Sequence, residues 1–379
     1  MNVPKLRFKE FNDEWKKAQL SSFVNINPKN DSLPEKFIYI DLESVNNGLL
    51  TSRKIINKSE APSRAQRTII KNDILYQTVR PYQMNNLFIN SLDSTYPYIA
   101  STGYALLRTE ENPYFVYSIL HQKSFVNKVL DKCTGTSYPA ISANDLGAII
   151  VGLPSIKEQE KISRTFELLD KKIELQAKKI EDLKLFKLYT KNQIFKDYDE
   201  IFKLKDILVK WNKKNKNNSV KYVESISNKY GFISQSDQFE DRNVASKDLN
   251  NYYIIEKGVF GYNPSRLNVG SLALKTNDKV SVVSPLYECF TTSQNNQYLL
   301  EWFDSKYFRK ETISKFEGGV RNTLNFSNLC EIEIGLPTIE KQNMYSRIFK
   351  IFNNKIEFEV KKLYKLQELK KGLLQSMFV

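Results

Sequence analysis

The stretch Gly152-Leu153-Pro154-Ser155-Ile156-Lys157-Glu158-Gln159 decides the fold, because the chain repeats its layout as Gly335-Leu336-Pro337-Thr338-Ile339-Glu340-Lys341-Gln342. The numbers of Pro154 and Pro337 differ by 183, and this difference is called the repeat offset below. Each copy opens a long charged segment with a helical pattern, which runs to Phe195 in the first half and to Phe378 in the second. Self-similarity at a fixed spacing indicates a chain built from repeated structural units. The sequence therefore divides into two related halves.

The segment after each copy predicts a long helix with a coiled-coil seam. Pro154 and Ser155 are helix-start signals, and Ser155 with Glu158 fits a capping box, in which the serine covers an orphan amide and the glutamate reaches back. About forty residues at ~1.5 Å each give a rod of roughly 60 Å, which calls for a partner helix. Apolar residues recur in alternating steps of four and three, as in coiled coils. The predicted seam consists of Ile162, Phe166, Leu169, Ile173, Gln176, Ile180 and Leu183 in the first helix and Tyr345, Phe349, Phe352, Ile356, Glu359, Leu363 and Leu366 in the second.

Two seam positions are polar. Gln176 and Glu359 lie near the middle of their helices and at the same place in the repeat. If the helices pair antiparallel, the two side chains meet, which would fix the register at some cost in stability. The alternative is that both positions are solvated.

The regions that precede the two motifs predict two mixed α/β domains. In the first, the pattern predicts strands over 37–42, 69–76 and 98–100 with 103–108, a helix over 114–130 and a short strand over 149–151. In the second, landmarks keep the repeat offset, as Pro264 does from Pro81, but most residue identities differ. Two similar scaffolds therefore carry two different surfaces.

These observations predict an α+β fold with an internal pseudo-twofold repeat, in which two long helices pair as an antiparallel coiled coil. The predicted boundaries are 1–151 for the first mixed domain, 152–196 for the first helix, 197–334 for the second domain and 335–379 for the second helix.

The charge of the chain favours a polyanionic partner. Lys and Arg number 57 against 43 Asp and Glu, which gives a formal net charge of +14. Such an excess attracts nucleic acid, although a solvated basic surface is the alternative. Three widely spaced cysteines indicate a reducing cytosol. Because the chain has neither a signal-peptide pattern nor an apolar run long enough to cross a membrane, we expect a cytoplasmic protein without membrane contact.

The residues that common catalytic chemistry needs are missing. His121 is the single histidine, so a Ser/His/Asp set lacks alternatives for its base, and no His/Cys cluster indicates zinc. The phosphate-binding pattern G-x-x-x-x-G-K-[ST] does not occur. Tyr262-Asn263-Pro264-Ser265-Arg266 approaches the Asn-Pro-Pro-aromatic motif of amino-methyltransferases, but Ser265 and Arg266 replace the second proline and the aromatic residue. We therefore predict that the chain is not an enzyme and binds neither a metal nor a cofactor.

The order of mixed domain, Gly-Leu-Pro-x-Ile-x-x-Gln with long helix, mixed domain, and second motif with long helix resembles the DNA specificity (S) subunit of type I restriction-modification systems. Pro4-Lys5-Leu6-Arg7-Phe8 with Trp15 is similar to the usual start of that family. The resemblance covers essentially the whole chain. It implies two target-recognition domains, each reading one half of a bipartite site in double-stranded DNA, and helices that act as a spacer.

The resemblance also implies partners. The helices would dock two methyltransferase (M) subunits, and restriction/translocase (R) subunits would join for cleavage. S-adenosylmethionine and the adenine-N6 chemistry would belong to the M subunits, which accounts for the lack of catalytic motifs in this chain.

Candidate DNA contacts lie where the two domains align but differ. Arginine and lysine suit guanine, and asparagine and glutamine suit adenine, especially on loops held by a rigid core. An ordinary surface loop is the alternative for each. The base-reading candidates are Gln77, Thr78, Arg80, Tyr82, Gln83, Thr136, Ser137 and Tyr138 in the first domain and Asn263, Ser265, Arg266, Asn268, Arg321 and Asn322 in the second, and the phosphate candidates are Arg53, Lys54, Arg64 and Arg67.

Two other classes of protein stay open from the sequence. A coiled-coil scaffold whose domains bind proteins would show no DNA binding. A fused methyltransferase would bind S-adenosylmethionine as an isolated chain.

Overall fold

The computed structural model describes residues 3–29, 32–92, 95–135, 137–228, 230–235, 248–313, 315 and 323–379. The fold is α+β, with mixed α/β regions and two long helices, as the sequence predicts. Contacts group the chain into two compact units. Unit 1 consists of residues 1–177 and 361–379, and unit 2 consists of residues 178–360. The predicted boundaries at 151, 196 and 334 divide the chain by sequence pattern, whereas the two units are defined by contacts. The four-part division therefore stays a prediction.

The helices begin at the same places in both halves of the repeat. Their bounds are α1 (Pro113–Ile119), α2 (Lys123–Asp131), α3 (Ala143–Gly147), α4 (Ile156–Ile194), α5 (Leu204–Ile207), α6 (Asn296–Phe303), α7 (Lys306–Ile313), α8 (Phe326–Cys330) and α9 (Ile339–Ser376). The starts of α1 and α6, α2 and α7, α3 and α8, and α4 and α9 are each separated by the repeat offset. The spacing of the motif is thus also the spacing of the fold.

Unit 1 contains two four-stranded sheets, in the orders β6-β3-β10-β7 and β2-β11-β8-β9, with the short pairs β1-β12 and β4-β5. Within the first sheet β10 pairs parallel with β3 and antiparallel with β7. The strands are β1 (Lys16–Gln19), β2 (Val24–Ile26), β3 (Lys36–Ile40), β4 (Val45–Asn46), β5 (Leu49–Leu50), β6 (Lys54–Asn57), β7 (Ala65–Ile69), β8 (Ile74–Gln77), β9 (Leu87–Phe88), β10 (Tyr98–Ser101), β11 (Tyr104–Thr109) and β12 (Ile150–Leu153).

Unit 2 repeats this plan in part. Its sheet β14-β21-β18-β19 corresponds to β2-β11-β8-β9, and β13-β22 corresponds to β1-β12. The pairs β15-β16 and β17-β20 complete its sheets among the described residues. The strands are β13 (Glu200–Lys203), β14 (Leu208–Lys210), β15 (Glu224–Ser227), β16 (Gly231–Ser234), β17 (Tyr253–Ile255), β18 (Phe260–Tyr262), β19 (Leu272–Leu274), β20 (Ser281–Val283), β21 (Glu288–Thr292) and β22 (Glu333–Leu336).

The final glutamine of each motif connects its long helix to the mixed α/β region of the same unit. Gln159 is fully buried, and its Oε1 accepts a hydrogen bond from the Asn112 backbone at 3.2 Å. In unit 2 the Oε1 of Gln342 accepts from the Asn295 backbone at 3.1 Å. Each amide nitrogen donates back to its own motif proline, at 3.0 Å to Pro154 and 2.9 Å to Pro337. A buried amide satisfied on both sides is costly to replace, which explains why the repeat retains it.

The glycine of each motif leaves room for an aromatic ring. A Cβ on Gly152 would lie 2.9 Å from the Trp15 ring, and one on Gly335 would lie 2.5 Å from the Tyr198 ring. Both glycines lie on a strand, β12 or β22, that ends at the helix start. The Gly-Leu-Pro sequence therefore combines an aromatic contact, a strand end and a helix start in three residues.

Within each unit, the segments of α4 and α9 run antiparallel. In unit 2, Lys187 donates to Asn353 at 2.8 Å and Lys179 pairs with Glu359 at 2.7 Å, so rising numbers in one helix meet falling numbers in the other. In unit 1, Asp170 pairs with Lys370 at 2.6 Å. The predicted seam positions are buried or half-buried along both helices. Gln176 and Glu359 are both buried, and their predicted mutual contact stays a prediction.

Three local predictions are wrong. Residues 69–76 are not one strand, because Asn72 has a φ of 71° and the buried Asp73 accepts a hydrogen bond from the Ile70 backbone at 2.8 Å, which makes a turn between β7 and β8. Residues 114–130 form α1 and α2 instead of one helix, because the backbone is extended at Gln122. Glu158 does not complete a capping box with Ser155, since both its carboxylate oxygens accept from Arg7 at 2.8 Å.

Candidate nucleic-acid interface

The loop after β8 in unit 1 is built on two buried amides. The Gln77 side chain donates to the Val79 carbonyl at 2.7 Å and to the Gln83 side chain at 2.8 Å, and its oxygen accepts from the Asn85 backbone at 3.2 Å. Asn86 in turn accepts from the Gln77 backbone at 2.9 Å. The sequence predicts Gln77 as a base reader, but in this structure its amide holds the loop.

The same loop contains two strained residues. Arg80 and Met84 have φ angles of 54° and 51°, in the left-handed region that side chains other than glycine rarely adopt. They flank a single 3-10 turn, Pro81–Gln83. Each such conformation costs of order 1–3 kcal/mol and persists only where the surrounding structure imposes it, most often at functional sites. Tyr82 and Gln83 are exposed on this turn.

A second loop lies against the first. Thr134 and Ala140 exchange backbone hydrogen bonds at 2.9 and 3.0 Å, and the Arg80 amide donates to the Pro139 carbonyl at 2.7 Å. Gly135 has a φ of 90°, which only glycine adopts without strain. Ser137 and Tyr138 are exposed, whereas Thr136 lies outside the described residues. The two candidate loops predicted for the first domain are therefore brought together.

One cation-π contact joins these loops. The Arg80 guanidinium carbon lies 4.2 Å from the centroid of the Tyr138 ring. No hydrogen bond or ion pair reaches that guanidinium from the part of the chain that the structure describes, and its Nε is buried. Thr78, by contrast, donates its hydroxyl to the Gly103 carbonyl at 2.9 Å.

The phosphate candidates adjoin this site through the β10–β11 turn. Thr78 and Thr102 donate backbone hydrogen bonds to Gly103 and Arg64, at 3.1 and 2.9 Å. Arg64 is exposed, while burial lowers the pKa of Arg67, whose Nε has no partner among the described residues. Lys54 lies 3.5 Å from Asp41 on the same sheet, and Arg53 is exposed before β6. Of these basic groups, Arg64 is the one that backbone hydrogen bonds connect, through the β10–β11 turn, to the loop after β8.

The equivalent loop in unit 2 has the same place and a different geometry. Pro264 begins a 3-10 helix, Pro264–Val269, as Pro81 does. Asn263 is extended, however, and its side chain accepts from the Ser265 backbone at 3.0 Å. Ser265 and Arg266 are exposed. The Asn268 side chain, Arg321 and Asn322 lie outside the described residues.

Sequence reasoning passed over a lysine-rich stretch in unit 2. Residues 210–221, named here the lysine segment, contain Lys210, Lys213, Lys214, Lys216 and Lys221. Lys214 lies 3.8 Å from the centroid of Tyr253, and Lys279 lies 3.2 Å from that of Tyr222. Lys216 and Lys221 are exposed and have no ion pair among the described residues. In the sequence, the high density of lysines over residues 210–221 would have indicated this basic segment.

The groups that could suggest catalysis are structural. The ring of His121 donates from Nδ1 to the Tyr117 carbonyl at 2.8 Å, and burial lowers its pKa to about 4. Burial also raises the pKa of Cys289 to about 12. In the described ranges, no group of three His, Cys, Asp or Glu side chains could hold a metal ion.

Comparison with known proteins shows which proteins the chain resembles. Residues 12–185 match the sequence model of the type I restriction modification DNA specificity domain. A curated relative, the type I restriction enzyme HindI specificity subunit of Haemophilus influenzae, is 26% identical over 196 residues. Residues 12–185 therefore resemble the type I DNA specificity domain, as the sequence motifs suggest. The match to the HindI subunit covers 50% of this chain and 42% of that relative.

Solved structures of specificity subunits and type I systems share the fold. The S subunit of a type I restriction-modification system from M. genitalium superposes with a TM-score of 0.60 at 15% identity, over 100% of this chain and 99% of that one. A chain from a study of complex assembly and conformational transition of the type I R-M system gives 0.58 at 18% identity, over 95% and 96%. Both likenesses concern the fold alone.

These matches confirm two predictions. The sequence resemblance to type I specificity subunits is correct, and such subunits are non-catalytic, as we predict for this chain. No helix in the described part of the chain combines the length and apolar content needed to cross a membrane.

Proposed function

We propose that this chain is the sequence-specific DNA-binding subunit of a type I restriction-modification complex, and that each recognition region reads one half of a bipartite target. One observation carries the proposal. The repeat places Arg80-Pro81-Tyr82 and Asn263-Pro264-Ser265 at equivalent positions, with a left-handed backbone at Arg80 and an extended one at Asn263. A common scaffold with two different loops suits two different half-sites, because loops on a rigid core carry recognition.

Basic side chains would supply affinity without sequence preference. In unit 1 the exposed Arg64, which adjoins the β10–β11 turn, would contribute, and the lysine segment would give unit 2 a basic surface of its own. Neutralised phosphates release counterions, so the affinity would fall steeply with salt. Base-edge contacts from the loops would add the sequence preference.

The long helices would set the spacing and dock the methyltransferase subunits. Each unit exposes large apolar side chains on its helices, at places that the repeat relates. Leu168 and Leu175 correspond through the repeat offset to Ile351 and Phe358, and Leu175 and Phe358 are 58% and 61% exposed. Positions seven residues apart share one side of a helix. Two equivalent apolar faces support two equivalent partners, because such exposed residues mark interaction surfaces.

The partners would supply the chemistry that this chain lacks. Two M subunits would bind S-adenosylmethionine and methylate adenine N6, and R subunits would join them for DNA cleavage. The assembled complex would work in the cytoplasm on double-stranded DNA. This chain would determine the DNA sequence to which the complex binds.

Footprinting of the full-length chain tests the proposal. Two protected patches about one helical turn apart are expected on a target duplex. A chain that protects no DNA would instead be a coiled-coil scaffold for proteins. Calorimetric titration with S-adenosylmethionine tests the remaining alternative, a fused methyltransferase. Heat of binding to the isolated chain would indicate that class of protein.

A further inference from the structure

We infer that Arg80, stacked on Tyr138, reads a guanine in the half-site of unit 1, and that unit 2 has no counterpart of this device at the equivalent position. The inference rests on the proposed function, because it assigns one base contact within that DNA interface. It selects one residue pair from the many candidate positions in the recognition loops.

The pair is held in place before any ligand arrives. The Arg80 amide donates to the Pro139 carbonyl at 2.7 Å, next to Tyr138, and the Gln83 amide donates to the Arg80 carbonyl at 3.0 Å. The buried Gln77 side chain bonds to Val79 and Gln83 on either side of Arg80. The backbone strain at Arg80, with its φ of 54°, is therefore imposed by both loops. Strain of this kind is found where a side chain must point in one direction.

The guanidinium is oriented but unsatisfied. Its carbon lies 4.2 Å from the centre of the Tyr138 ring, and Tyr138 is itself 65% exposed. Among the described residues no carboxylate or carbonyl accepts from its N–H groups, although its Nε is buried. Half-buried N–H groups without acceptors carry a free-energy cost, and a ligand that supplies the acceptors removes that cost on binding.

Guanine fits this arrangement better than a phosphate does. An arginine stacked on an aromatic face keeps its planar fork in one orientation, which matches the O6 and N7 acceptors of guanine. A phosphate also accepts bidentate hydrogen bonds from arginine, but it presents oxygens in several directions, so the exposed Arg64 can bind one without strain or stacking. The backbone strain at Arg80 therefore favours a contact whose strength depends on the orientation of the guanidinium.

Unit 2 differs at the equivalent residue. Asn263 is related to Arg80 by the repeat offset, and its side-chain oxygen is already used by the Ser265 backbone. Position 321, which corresponds to Tyr138, is an arginine. A guanine contact from a stacked arginine at this loop position is therefore expected in one half-site only.

Selection from a library of randomised duplexes tests the inference with the full-length chain. The unmodified chain should enrich a bipartite motif, and Arg80→Asn should lower the enrichment of guanine at one position by roughly 5- to 150-fold. Asparagine tolerates the left-handed backbone, so this variant is expected to fold. Arg80→Lys should reduce the same preference to a smaller extent, because lysine can still donate to guanine but lacks the stacked planar fork. Tyr138→Phe should keep it and Tyr138→Leu should weaken it.

Arg64→Ala is the matched control. It should weaken binding to all duplexes alike and leave the motif unchanged. If the Arg80 variants bind with the motif of the unmodified chain, the assignment of guanine is wrong although the proposed function stands. If the unmodified chain enriches no bipartite motif, the proposed function itself has failed.

Discussion

The ring of Phe378 lies 5.7 Å from the ring of Phe166, so the segment that follows α9 packs on the first turns of α4. Unit 2 contains the same contact with the roles of the helices exchanged, since Phe195 after α4 lies 5.9 Å from Phe349 in α9. The repeat offset relates Phe195 to Phe378 and Phe166 to Phe349. In each unit the mixed α/β region thus packs against the end of one long helix and the start of the other.

This contact predicts a large stability loss for Phe378→Ala. The side chain is buried among Trp15, Phe115 and Phe166, so its removal should leave a cavity and cost about 3–5 kcal/mol. Denaturant unfolding of the full-length chain measures it. Phe358→Ala is the control, because Phe358 is exposed and should change the unfolding free energy little. Equal losses in the two variants would contradict the packing described here.

Equivalent charged positions should respond differently to substitution. Glu158 is buried and accepts two hydrogen bonds from Arg7, so Glu158→Gln should cost about 3 kcal/mol through an unpaired arginine. Its repeat equivalent, Lys341, pairs with Asp197 and Asp199 at 3.3 Å near the surface, and Lys341→Gln should change stability far less. Thermal unfolding of both variants checks the difference. A larger effect at position 341 would show that the two ion pairs have been ranked wrongly.

The apolar helix faces predict the number of bound methyltransferase subunits. Leu175→Asp should abolish one docking face and leave a complex with one such subunit, because a charge at the centre of an apolar contact is not compensated. Phe358→Asp should do the same for the other face, and the double variant should bind none. Native mass spectrometry of co-expressed complexes counts the subunits. Glu174→Asp, at an exposed neighbour that stays acidic, should leave two bound.

The lysine segment should contribute to DNA affinity without affecting sequence choice. In the double variant Lys216→Ala with Lys221→Ala, affinity should fall less steeply with salt. The slope of log affinity against log salt should become shallower by about 0.9 for each phosphate that the variant no longer neutralises. Lys203→Ala serves as the control, because Lys203 already pairs with Glu331 at 2.7 Å. Binding titrations on specific and scrambled duplexes provide the measurement. A weakening confined to the specific duplex would assign these lysines to base reading instead.

The repeat made most of the architecture predictable. The repeat offset located the start of both long helices, and the four-three apolar pattern identified their buried seam. These features are local in sequence, so periodicity reports them directly.

Local breaks and long-range partners were harder to predict. The boundary between α1 and α2 contains neither proline nor glycine, so the helical pattern runs through it without a stop signal. Lys71-Asn72-Asp73 did offer a turn signal within the apolar stretch that we read as one strand. The partner of Glu158, Arg7, lies 151 residues away, and no local pattern indicates such a pair.

The candidate site was predictable as a region but not residue by residue. Aligning the two halves around Pro81 and Pro264 identified two loops that begin 3-10 helices at equivalent places in the fold, and their role as DNA contacts stays a prediction. It did not distinguish Gln77, whose buried amide holds the loop, from Arg80, whose guanidinium is stacked and unsatisfied. Burial and hydrogen bonding separate these two residues, and neither is encoded in residue type alone.

Methylome sequencing of a host that carries this specificity gene with its methyltransferase partner is the decisive test of bipartite reading. We expect one methylated motif made of two defined half-sites separated by a gap of unspecified bases. Exchanging residues 197–334 for the corresponding region of another specificity subunit should change one half-site and keep the other. A continuous motif without a gap, or a change in both half-sites after the exchange, would contradict it.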